Sequence, residues 1–155
     1  MLTLDEAKAI VERYASDAGA DWIPGSDILE RDSYWFFPVG YIGSSGVVVD
    51  KASGELVPLG SAFELDDWLW GYENGFLRTS VTLRVISIDD FDRTLAVLQG
   101  AISAKFRWRY ELRNWLKERL RELPADFPHQ DLALSIPTFR AALRSGWFTF
   151  ELADC

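Results

Sequence analysis

Residues 34–75 read YWFFPVGYIGSSGVVVDKASGELVPLGSAFELDDWLWGYENG, and the punctuation of that stretch decides the fold. Residues 34–41 are aromatic and β-branched, as strands prefer. Gly43, Ser44, Ser45 and Gly46 follow as a turn, and Val47, Val48 and Val49 as a strand of the buried type. Asp50, Lys51, Ala52, Ser53, Gly54 and Glu55 form a hairpin turn in which Gly54 can take a positive φ. The chain returns as a strand over residues 56–59, where Pro58, lacking an N–H, marks an edge position or a bulge. The period then changes. Over residues 63–72, Leu65, Trp68, Leu69 and Tyr72 form one stripe of a short helix, and Asn74 and Gly75 stop it.

Upstream, Thr3-Leu4-Asp5-Glu6 matches a capping box, and Ala7, Ile10, Val11 and Tyr14 continue at helical spacing to a stop near Ala18-Gly19. Residues 19–33, with Pro24-Gly25 and several acids, read as loop. Downstream, residues 81–88 alternate as a strand. Ser87 and Asp89 offer caps for a helix carrying Phe91, Leu95, Leu98 and Ile102 on one side. A further helix is expected from Lys105 to Leu123, ended by Pro124 and Pro128. Residues 132–136 read as a short strand, residues 137–145 as a helix closed by Gly146, and residues 147–152 as a final strand. The expected fold class is α+β: an antiparallel sheet flanked by helices, with an α/β C-terminal extension. The domain boundary is placed between residues 76 and 77, with 77–155 packed on 1–76.

At 155 residues the chain is long enough to bury about 70% of its unfolded surface without staples. It is 48% hydrophobic and 26% charged, the balance of a globular protein rather than a disordered one. Cys155 is its one cysteine, so no internal disulfide can form and a reducing compartment is expected. The longest uncharged stretch, residues 33–49, is broken by Pro38 and three glycines and is shorter than the ~20 apolar residues of a membrane helix. Charges interrupt any apolar run near the N-terminus, so the expected location is the cytoplasm, away from membranes. The net charge of −8 argues against direct nucleic-acid binding. It is unevenly spread: residues 1–76 carry 14 acidic and 4 basic side chains, residues 77–155 carry 10 and 12.

Residues 1–76 resemble the YrhB-like immunity-protein family of bacterial polymorphic-toxin systems. The likeness lies in the first helix (Leu4, Ala7, Ile10, Val11, Tyr14), the aromatic strand Trp35-Phe36-Phe37, and the hairpin from Val47-Val48-Val49-Asp50-Lys51 through Ser53-Gly54-Glu55 to Gly60. The short helix with Leu65, Trp68 and Tyr72 closes it. Many family members have Thr at the place of Ser53. Residues 78–155 lie outside the likeness. The resemblance implies an immunity protein that binds and neutralises a cognate antibacterial toxin, or effector, inside the producing cell. The alternative is a chaperone-like or general protein-interaction module of the same fold.

An enzyme is not expected. His129 is the one histidine, set between Phe127-Pro128 and Gln130-Asp131 as a surface-loop residue, and a hydrolase triad would need a base. The acid pairs Asp66/Asp67 and Asp89/Asp90/Asp92 stand at helix starts, where carboxylates serve as caps and dipole partners. No metal motif or phosphate loop occurs, so no catalytic, cofactor or metal residue is assigned. The partner-binding candidates are Asp66, Asp67, Trp70 and Glu73, on the side of the short helix away from its apolar stripe. For Trp70 two readings stand: an interface anchor amid acids, or a ring packed under the C-terminal half. Residues 105–121 hold seven basic side chains with Glu111 and Glu118 among them. They read as a solvated amphipathic helix, or as an internal partner for the acidic half. Neither the toxin nor the oligomeric state can be read from the residues.

Overall fold

A computed structural model describes residues 1–19, 27–38, 43–103 and 108–155. The expected loop at Pro24-Gly25, the strand end at Tyr41 and the helix start at Lys105 lie outside the described residues. The chain forms two compact units, Met1–Leu65 and Asp66–Cys155, each with an antiparallel sheet and helices of its own. The class is α+β.

In the first unit, helix α1 (Leu4–Ala18) opens with the capping box. The Glu6 N–H donates to Thr3 Oγ1 (3.2 Å) and the Thr3 N–H to Glu6 Oε2 (2.7 Å). Such a cap is worth about 1 kcal/mol. Gly19, at φ +67°, ends the helix in the left-handed conformation. The sheet runs in the order β1 (Leu29–Glu30), β2 (Tyr34–Phe37), β3 (Ser44–Asp50), β4 (Leu56–Gly60). Trp35 pairs with Val49 and Phe37 with Val47, which puts these four on one face. Ala7 and Val11 of α1 pack on that face, with Ile10, Tyr14 and Leu56 around them. Pro58 sits exposed on β4, an end strand, where its missing N–H breaks no ladder.

The turn closing β3 and β4 is built by Asp50. Its Oδ1 accepts from the Ala52 N–H, the Ser53 N–H and the Ser53 hydroxyl at 2.7–2.9 Å, and Gly54 takes φ +74°. Lys51 turns inward instead of outward. Its Nζ lies 4.8 Å from the centre of the Trp35 ring and 2.9 Å from Glu30 Oε1. Two expectations change. Ser44, Ser45 and Gly46, read as a turn, begin β3, across an irregularity in its register with β4. There the Ser44 and Ser45 hydroxyls donate to the carbonyls of Leu59 (3.0 Å) and Gly60 (2.9 Å), replacing ladder bonds that the irregularity removes. Residues 29–30, read as loop, form β1 because the edge of β2 pairs with them.

In the second unit the sheet runs β6 (Ala125–Gln130), β5 (Val81–Ile88), β7 (Phe148–Asp154). Around it stand α2 (Leu65–Glu73, from Asp66 onward), α3 (Phe91–Ala101), α4 (Arg109–Arg119) and α5 (Ile136–Ser145). Helix α3 packs on α4 and α5, and α5 on β7. Val81, Leu83 and Val85 alternate inward, and Phe76, Phe139, Phe148 and Phe150 join edge-to-face or tilted with ring centres 5.2–5.9 Å apart. The unit boundary falls ahead of the one expected after residue 76. The cause is α2, which is bound into the second unit: Trp70 lies on Phe76, Asp67 pairs with Arg140, and Gly71 lets α2 approach Ile136 so closely that a Cβ there would lie 2.9 Å from Ile136 Cγ1.

Other differences have local causes. The cap of α3 is Asp90, whose Oδ1 accepts from the Arg93 N–H (3.1 Å), while β5 runs on through Ser87. Helix α4 stops at Arg119, and Pro124 and Pro128 flank and enter β6, an edge strand that tolerates a proline. Residues 133–135 form a 3₁₀ turn rather than a strand. The buried residues there are Leu132, Ile136 and Phe139, a helical spacing and not an alternation. Helix α5 ends at Gly146, φ +71°, as expected.

Candidate functional site

Chemistry-bearing side chains gather at three places in the second unit. The first is α2. Asp66 and Glu73 are exposed. Asp67 accepts from Arg140 Nη1 at 2.9 Å, with both side chains about four-fifths buried (23% and 18% exposed). Trp70 is half-buried with its ring centre 5.0 Å from that of Phe76. The four candidates therefore divide by exposure: Asp67 and Trp70 are partly buried, Trp70 beside Phe76 and Asp67 paired with Arg140, while Asp66 and Glu73 are exposed.

The second place is the outer face of the three-stranded sheet. Alternation along β5 and β6 aims Arg84 and Asp126 away from the core. Arg84 Nε and Nη2 donate to the two carboxylate oxygens of Asp126 at 2.7 and 3.2 Å, and Nη1 reaches Glu151 Oε1 at 3.3 Å. The hydrogen bond from Arg84 holds the Asp126 carboxyl below the usual carboxylate range, and that same bond raises the guanidinium. All three side chains are about half exposed, so the network orders the face more than it stabilises the unit. Asp126 also borders a groove of about 560 Å³ between the end of α4 and β6. Its other charged walls are Glu118, Arg119, Arg121 and Glu122. Arg121 pairs with Glu118 at 3.3 Å, and Arg119 donates to the Asp126 carbonyl at 2.5 Å. Most of the groove's charge is thus balanced internally.

The third place is one that sequence reasoning missed. His129, read as a loop residue, lies exposed in β6 with φ +59°, and its Nδ1 is 3.3 Å from the hydroxyl of Ser80, itself at φ +56°. The His129 N–H donates to Cys155 Sγ at 3.3 Å, and Thr82 Oγ1 lies 3.3 Å from the same sulfur. Register brings them together: β5 stands between β6 and β7, and Val81 pairs with both Gln130 and Asp154. No spacing along the chain announces that meeting. The hydrogen bond from Thr82, then that from the His129 N–H, lowers the thiol pKa against the opposing effect of burial. Donors stabilise the thiolate over the thiol, so more of it is ionised at a given pH. The expected result is an alkylation rate for Cys155 whose pH midpoint lies below that of the same thiol without these donors. Thr82→Val should move that midpoint upward. A midpoint that stays put in the variant would remove the hydroxyl as the cause.

Among the described residues, no three His, Cys, Asp or Glu side chains gather so as to hold a metal ion. None of the described helices is long and apolar enough to cross a membrane. No family model, curated protein or solved structure matches the chain.

Proposed function

We propose that the chain is an immunity protein that binds a cognate antibacterial toxin in the cytoplasm of the producing cell and neutralises it by covering its surface. The observation that carries this reading is the element order: capped helix α1, aromatic strand β2, the β3–β4 hairpin turned by Asp50 and Gly54, then α2. That is the order on which the resemblance of residues 1–76 to the YrhB-like family rests. The charge is in keeping with it. Met1–Leu65 holds 11 acidic and 4 basic side chains, and one of the four, Lys51, is buried in an ion pair. An acidic body of this kind steers a basic partner and selects against acidic ones.

The test is to read the neighbouring upstream gene and, where it encodes a large protein with a variable C-terminal toxin domain, to co-express that domain with this chain. A tight one-to-one complex, together with rescue of growth from that domain's toxicity, is the expected outcome. Absence of both would overturn the reading. Weak binding to many unfolded chains would favour the general interaction module.

On α2 the proposed contacts are the exposed Asp66 and Glu73. Asp66→Lys, alone and combined with Glu73→Lys, should slow association at low salt, the double variant by about tenfold. An association rate indifferent to both the reversal and added salt would exclude these residues. Asp67 is left out of the variant because its loss would strand Arg140 without its carboxylate.

A further inference from the structure

We draw no further inference here: the strongest candidate, the Cys155 thiol gathered with Ser80, Thr82 and His129 at one end of the three-stranded sheet, rests on a single cysteine whose contacts are hydrogen bonds within the cluster, with nothing in the structure that points to a ligand.

Discussion

Gly46→Ala is expected to cost the first unit most of its stability. Gly46 holds φ +143°, a conformation that side-chain-bearing residues rarely adopt. A Cβ there would collide with the backbone carbonyl oxygen of Phe37 and lie 2.6 Å from two carbons of the Phe36 ring. The ring is buried, and the carbonyl belongs to β2, whose Phe37 pairs with Val47 next to the glycine. Neither can step aside without shifting the β2–β3 register. The dihedral costs about 1–3 kcal/mol and the overpacking about 1–3 kcal/mol more. Together they approach the low end of the 5–15 kcal/mol that holds a domain together. A urea titration reads the loss as a lower midpoint with an unchanged slope. Gly19→Ala separates the two causes. Gly19 also has positive φ, at +67°, but a Cβ there would meet none of the described residues within 4 Å, so the dihedral cost of roughly 1–2 kcal/mol should dominate. Equal losses in the two variants would mean that the hairpin absorbs the extra carbon.

Phe139→Ala should damage the second unit by a different route. Phe139 is fully buried on α5, and its ring meets Phe76, Phe148 and Phe150 with centres 5.4, 5.9 and 5.2 Å away. Removing it empties the middle of the aromatic cluster and takes away three ring contacts at once. Large-to-small changes at such positions cost about 3–5 kcal/mol, because the walls collapse only in part. Phe139→Leu keeps most of the apolar volume and should lose clearly less. Hydrogen exchange at the amides of β5 and β7 reports the damage directly, since Phe148 and Phe150 lie on β7 and pair with β5. If the alanine and leucine variants unfold at the same denaturant concentration, filling of the cluster is not what Phe139 supplies.

The candidate site was legible to the extent that exposure follows local pattern. Asp66 and Glu73 lie on the polar side of α2 and face solvent, as the apolar stripe of that helix requires. Asp67 and Trp70 share the polar side by spacing, yet Asp67 is engaged by Arg140, 73 residues away, and Trp70 by Phe76 in the turn that follows the helix. A helical wheel reports which way a side chain leaves its own helix. It is silent on whether another element arrives there. The same limit explains the thiol cluster at Cys155, assembled from strands that register, not spacing, sets side by side.

What the sequence by itself determined is whatever a few neighbouring residues can settle. Thr3 and Glu6 start α1, Gly19 and Gly146 end helices, and Asp50 with Gly54 turns the hairpin, because each satisfies or frees backbone groups within a few bonds of itself. Tertiary structure alone decided the rest. It buried Lys51 against Trp35 and drew α2 into the second unit through Arg140 and Ile136. Those outcomes depend on partners brought near only when the chain closes. The free energy that selects them comes from burial and pairing over long sequence separations, which no local pattern encodes.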